Sequence, residues 1–143
     1  MLSKLLTAWI LMAFCVTVHA VGLMVAIRWV TRRALTAHGS FWYPTWILIR
    51  VAAWTILLHL AEISSWGFVY AWKQGMPDLE TAIYFSAATY TTTGYGDFVL
   101  PKEWRLVGAV EALTGILMCG LSTGFFFAVV SKVIKARSGT KPE

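Results

Sequence analysis

Charge is scarce in this chain. Only 13% of its 143 residues are Asp, Glu, Lys or Arg, and acids are the rarer kind, 7 against 12 basic residues. A water-soluble domain carries about a quarter charged residues, so a soluble globular fold is a poor match. Cysteine is scarce too. Cys15 and Cys119 both fall inside apolar stretches, which excludes a disulfide framework or a cysteine-rich zinc site and suits buried free thiols. No internal repeat is present, which excludes a solenoid. No hydrolytic or redox constellation is visible, so an enzyme is not expected. Apolar residues are plentiful: the chain is 58% hydrophobic and holds 8 Trp.

The apolar residues gather in three runs, 5–27, 51–70 and 106–130. About 20 apolar residues at roughly 1.5 Å each cross the roughly 30 Å hydrocarbon core of a bilayer. Each run is therefore long enough to span as a helix. The first also has the look of a secretory signal, with Lys4 ahead of it and Val18-His19-Ala20 as a loose cleavage site. Its apolar character continues to Ile27, so a retained helix is expected.

Charge sets the orientation. Arg28, Arg32, Arg33 and Arg50 flank the first connection with no acid among them, and Lys132, Lys135, Arg137 and Lys141 crowd the C-terminal end, where Glu143 is the one acid. Lys4, Lys73, Lys102 and Arg105 are balanced by Asp78, Glu80, Asp97 and Glu103. Basic residues mark the cytoplasmic side. The expected topology has the N-terminus outside and the C-terminus inside a cytoplasmic-type (inner or plasma) membrane. The net charge of +5 is then topology and not a nucleic-acid footprint. Trp29, Trp42, Tyr43 and Trp46 read as an inner aromatic belt, and Trp9, Trp66, Tyr70, Trp72 and Trp104 as an outer one.

Between the second and third runs lies a segment that cannot span. Gly75 and Pro77 break the second helix, Pro77 suits the first turn of a new one, and Asp78 and Glu80 suit its positive end. The expected order is an additional N-terminal transmembrane helix and cytoplasmic link (1–44, with helix one at 5–33 and Gly39, Ser40 and Pro44 in the link), then a pore domain (45–137), then a cytoplasmic tail (138–143). Within the pore domain the outer helix is 45–72, the short pore helix 77–90, the loop 92–97 and the inner helix 103–136. The fold class is an all-α membrane protein with three transmembrane helices plus a re-entrant helix and loop. Non-helical backbone at membrane depth is tolerated only when protein buries it or it lines an aqueous path.

The loop reads Thr91-Thr92-Thr93-Gly94-Tyr95-Gly96-Asp97. Stripping water from a cation requires stacked rings of oxygen. A backbone whose successive carbonyls face one way needs alternating right- and left-handed dihedrals, and glycine takes the left-handed ones without a Cβ clash. Gly94 and Gly96 fit that alternation. The carbonyls of Thr92, Thr93, Gly94 and Tyr95 would form the rings, with the Thr92 hydroxyl as the innermost. Thr93 and Tyr95 side chains would then point away, Tyr95 bracing the loop. One strand supplies a quarter of each ring, so four chains must surround one axis.

On these residues, from the short helix (Ala82-Ile83-Tyr84-Phe85-Ser86) through TTTGYGD to the third run, the chain resembles the pore domain of potassium channels over about 51–132. The resemblance implies a potassium-selective channel that conducts K+ passively, assembles as a homotetramer in a lipid bilayer and needs no cofactor, K+ being the permeant ion. It implies a pore helix whose negative end faces a water-filled cavity. The inner-helix run EALTGILMCGLSTGFFFA is most similar to inward-rectifier channels, and Gly115 falls where that helix often carries a hinge. Thr93 stands where Val is commoner, Ala88 where bacterial relatives often have a filter-bracing acid, and Phe85 where a Trp would bond the filter tyrosine. A poorly selective cation channel, or a non-conducting accessory subunit that keeps the pore fold, are the rival readings.

The remaining residues are weighed singly. Asp97 is expected at the outer mouth, concentrating cations. Glu111, near pore-helix depth, needs a partner, and a Thr89 or Thr91 hydroxyl or pore-helix backbone is expected; the alternative has it tuning the filter. Ile116, Cys119, Thr123 and Phe127 recur at helical spacing and would line the pore, with Phe127 as a hydrophobic gate and Phe125 or Phe126 as substitutes. Gly120 and Gly124 suit close packing or bending. His59 and Glu62 share a helix face, and His19 lies at similar depth. A polar cluster joining helices one and two is expected, a pH sensor and a metal site (or a zinc-dependent membrane enzyme) being the alternatives. Helix one is expected to wrap the outer helix and couple to neighbouring subunits. The gating stimulus is left open among proton, lipid, tension and a separate regulatory partner of unknown identity.

Overall fold

A computed structural model describes residues 2–34, 42–73 and 75–138. Helix α1 (Leu2–Ala34), α2 (Tyr43–Trp72), α3 (Leu79–Tyr90) and α4 (Arg105–Ser138) follow one another, with a single 3-10 turn (Lys102–Trp104) ahead of α4. Helices α1, α2 and α4 are long and apolar enough to cross a membrane, and α3, of 12 residues, is not. The protein is an integral membrane protein of the all-α class, with α3 and the loop after it re-entrant between two spans.

The boundaries differ from the expected ones for local reasons. Helix α2 begins at Tyr43 and takes Pro44 into its first turn, where a missing N–H is harmless. Helix α3 begins at Leu79 and not at Pro77: Asp78 is its extended N-cap, φ −151°, and accepts hydrogen bonds from the Thr81 amide at 2.8 Å and the Thr81 hydroxyl at 2.9 Å. Those two bonds hold the exposed Asp78 carboxyl below the usual carboxylate range. Glu80 occupies the first turn, as expected. Helix α4 is preceded by the 3-10 turn and ends at Ser138, inside the segment read as tail. Gly39 and Ser40 of the link, and Lys141 and Glu143 of the tail, lie outside the described residues.

Side-chain contacts fix the relative directions of the helices. Lys4 lies 3.9 Å from Glu103 and stacks on Trp104 at one end, while Lys132 donates to Thr31 Oγ1 at 2.9 Å at the other. Helices α1 and α4 are therefore parallel. Arg50 near the start of α2 lies over Trp29 near the end of α1, so α1 and α2 are antiparallel. Helix α1 packs on α4 as well as on α2, so it does more than wrap the outer helix.

Two apolar cores share the bundle. One, around Cys15, Trp66, Tyr70, Tyr90 and Met118, holds α3 between α2 and α4. The other, around Ala26, Val30, Val51, Phe125 and Val129, joins the opposite ends of the spans. Trp66 and Tyr70 are fully buried in the first core and do not form an interfacial belt, whereas Trp9 and Trp72 are exposed.

Helix α3 lies so close to α4 that Gly115 has no room for a side chain. A Cβ there would sit 1.9 Å from the Tyr90 carbonyl oxygen. This contact, within an unbroken helix, accounts for the glycine, and any hinge motion at Gly115 would move the end of α3 with it. Gly115→Ala should therefore destabilise the protein by about 1–3 kcal/mol, the usual cost of overpacking. Thermal unfolding of the purified protein in detergent measures this, and a variant as stable as the wild type would refute the contact.

Candidate ion-conducting site

The loop after α3 carries the dihedral alternation that the glycines suggest. Gly94 has φ +54° and Gly96 φ +78°, and Thr92 joins them at φ +59°. Every second residue from 92 to 96 is thus left-handed. For a β-branched threonine that conformation is strained, and no glycine marked it in the sequence. The loop is tied to the helix before it: the Thr92 amide donates to Thr89 O and the Gly94 amide to Ala88 O, both at 3.0 Å. Ala88 supports the loop through this carbonyl. The Thr93 hydroxyl lies 2.9 Å from that of Thr91.

Residues 91–99 are all exposed in the single chain, Tyr95 at 72%. Among the described residues, no atom apart from those of each glycine and its two chain neighbours lies within 4 Å of where a Cβ on Gly94 or Gly96 would stand. Such backbone cannot face lipid, so the loop must be enclosed by further protein or by an aqueous path. Asp97 is engaged by Tyr84, whose hydroxyl donates to Oδ2 at 2.8 Å, and Phe98 packs edge-on against the Tyr84 ring. Tyr84 thus braces the outer loop, a role the sequence reading missed.

Glu111 is fully buried. It accepts hydrogen bonds from Tyr70 at 2.7 Å and Ser86 at 2.5 Å, not from Thr89 or Thr91. Its carboxylate sits behind the pore helix, and no bond joins it to the loop. Phe85 packs edge-on against Tyr70, with ring centroids 5.5 Å apart, and likewise supports the pore helix and not the loop directly.

His19, His59 and Glu62 do meet, and they reach further than the two helices expected. His19 Nδ1 lies 2.8 Å from Glu62 Oε1, and the other Glu62 oxygen bonds the Tyr90 hydroxyl. His59 Nδ1 lies 3.0 Å from that hydroxyl, and both imidazole Nε2 atoms meet Ser122 Oγ, at 2.9 and 3.0 Å. All four helices contribute. Spacing alone would admit a metal ion, since the nitrogen and oxygen atoms of the three residues lie within 4.8 Å of one another. Each of those atoms is already engaged by a polar neighbour.

On α4, Ile116, Cys119, Thr123 and Phe127 are all exposed and form one open face. Phe125 is buried and Phe126 packs against the same core, so neither replaces Phe127, which is 73% exposed. Among the described residues, nothing outside their own stretch of α4 comes within 4 Å of a Cβ built on Gly120 or Gly124, which border an open apolar groove with Leu117 and Leu121.

The family described as Ion channel matches residues 45–132, from α2 through the loop to α4. This chain belongs to that family. The match covers more than half of the chain and leaves α1 outside it. Searches of curated proteins and of solved structures returned no match.

The Glu111 site makes a stability prediction. Ser86→Ala leaves a buried carboxylate oxygen without its donor, and a loss of about 1–3 kcal/mol is expected. Thermal unfolding in detergent reads it, and an unchanged midpoint would mean that the bond contributes nothing.

Proposed function

We propose that the chain is one subunit of a homotetrameric, potassium-selective channel that passes K+ passively down its gradient. The observation that carries this reading is the left-handed backbone at Thr92, Gly94 and Gly96 within a TTTGYGD loop that the single chain leaves uncovered. Such alternation aligns the carbonyls of Thr92, Thr93, Gly94 and Tyr95, and four copies around an axis would stack them into rings that replace the ion's hydration shell. The Thr92 hydroxyl would add the innermost ring, and Asp97 would draw cations to the outer mouth. The face of Ile116, Cys119, Thr123 and Phe127 would line the inner path, narrowest at Phe127. The orientation is that of the charge asymmetry, with the N-terminus outside and the basic C-terminus on the cytoplasmic side. No covalent step and no cofactor enter this mechanism.

One observation favours a less selective pore. Phe85 lies against Tyr70 and offers no hydrogen bond to the loop, and Glu111 is bound elsewhere. A loop held mainly by the Ala88 and Thr89 carbonyls could relax and admit sodium.

Flux from liposomes separates the readings. With purified protein reconstituted, a potassium gradient should drive flux that external barium blocks, and a sodium gradient should not. Equal fluxes would establish the relaxed pore. Absence of both at neutral and acid pH, from protein of tetrameric mass, would leave the non-conducting subunit.

A further inference from the structure

Five polar contacts close a ring: Glu62 to Tyr90, Tyr90 to His59, His59 to Ser122, Ser122 to His19, and His19 back to Glu62. Each contact needs one proton between its two heavy atoms. With Glu62 ionised and both imidazoles neutral, Tyr90, Ser122, His19 and His59 bring one proton each, one fewer than the contacts of the ring. Somewhere two lone pairs must then face each other. That state also buries a net negative charge, because Glu62 and His19 are 0% exposed and stand at membrane depth.

One added proton removes both defects. Placed on His19, it lets the imidazolium donate to Glu62 and to Ser122. Ser122 then donates to His59, His59 to Tyr90, and Tyr90 to Glu62. Placed on Glu62, it reverses the circuit: Glu62 donates to Tyr90, Tyr90 to His59, His59 to Ser122, Ser122 to His19, and His19 to Glu62. In either arrangement every contact is filled and the ring is neutral. A metal ion fits less well. It would have to break these bonds and would leave Ser122 or Tyr90 without a partner.

We propose that the His19–Glu62–Tyr90–His59–Ser122 ring is a proton-binding site that holds one exchangeable proton and, when loaded, clamps the pore helix to all three spanning helices. The proton resides on His19, Glu62 or His59, since an imidazolium at His59 also fills every contact by donating to Tyr90 and Ser122, with Ser122 donating to His19, His19 to Glu62 and Tyr90 to Glu62. Tyr90 and Ser122 keep their own hydroxyl protons and only re-aim them. Among the described residues, the further titratable groups that interact with Glu62 and Tyr90 of the ring are the Cys15 thiol of α1 and the Cys119 thiol of α4. His59, with 19% of its side chain exposed, is the member through which the proton exchanges with water. Release leaves one contact empty. Tyr90 belongs to two of the contacts, stands two residues before Thr92, and touches α4 through its carbonyl at Gly115. Loss of the proton therefore loosens the anchor of the loop, and conduction falls as pH rises. This last step rests on the channel reading; the proton itself does not.

Glu62→Gln tests the count. The glutamine carbonyl accepts from His19 and its amide N–H donates to Tyr90, so the ring closes permanently without a titrating proton. Protons released by purified protein in nanodiscs, taken from mildly acid to mildly alkaline solution, should be one fewer per chain in E62Q than in the wild type. Potassium flux should fall severalfold over that range in the wild type and stay level in E62Q. An equal proton count in the two proteins overturns the proposal. So does stoichiometric zinc(II) binding at neutral pH that E62Q abolishes. A one-proton difference with the same pH dependence of flux in both overturns the coupling to the loop. If neither protein conducts at any pH, the channel reading fails and the proton count still decides the ring. Should E62Q not assemble, Tyr90→Phe serves instead. It removes two contacts and one proton, so the extra proton is no longer demanded and its release moves to lower pH; an unmoved release overturns the proposal.

Discussion

A backbone whose amides and carbonyls are not paired within a helix cannot face hydrocarbon. The loop at 91–97 has such a backbone, and the rest of the chain is arranged to keep it in place. It hangs from the end of a short helix, bonded to the Ala88 and Thr89 carbonyls, and its outer side is held through Tyr84 and Asp97. What the chain leaves uncovered must be covered by something else, and an aqueous axis shared with other copies meets that requirement. The demand for further protein or an aqueous path around this segment thus comes from the loop alone, before any likeness to known channels enters.

The pore helix answers the same constraint. Its buried face is Ala82, Ser86 and Tyr90, residues four apart that stack along one side. Two of these are hydroxyl residues, and each meets a buried carboxylate, Ser86 that of Glu111 and Tyr90 that of Glu62. One carboxylate belongs to the inner helix and the other to the outer. Apolar packing alone is a weak restraint in a membrane, where lipid is as apolar as the side chains. Polar contacts supply direction, and here they fix the helix at its middle and at its end. At that same end the Gly115 gap lets the Tyr90 carbonyl approach α4.

The fold was legible because its signals are compositional. Runs of apolar residues, a proline beside acids and a basic asymmetry need no tertiary knowledge, and the three spans and the short helix follow from them. Gly94 and Gly96 were legible for a similar reason, since glycine identity reports backbone conformation directly. Thr92 was not, because its left-handed dihedral is imposed by its neighbours. The partners of the buried acids were hidden by another cause. Helical spacing shows which residues share a face but not which way that face turns, so the partner of Glu111 was sought at Thr89 or Thr91, and Tyr70 and Ser86 were passed over. Tyr90 and Ser122 resemble ordinary polar residues until four helices bring them to the same two imidazoles.

A pore of this kind needs only α2, α3 and α4, and the family match covers only these. The first helix nevertheless carries His19, which is fully buried and bonded to both Glu62 and Ser122. Without it, Glu62 Oε1 would lose its partner beside the pore helix, and the outer and inner helices would lose one of the two imidazoles that join them. Helix α1 is therefore part of the pore helix's support and not an appendage to it. Glu62 in the core of the bundle and His19 on α1 are physically linked, since a carboxylate at that depth is tolerable only when something nearby can donate to it.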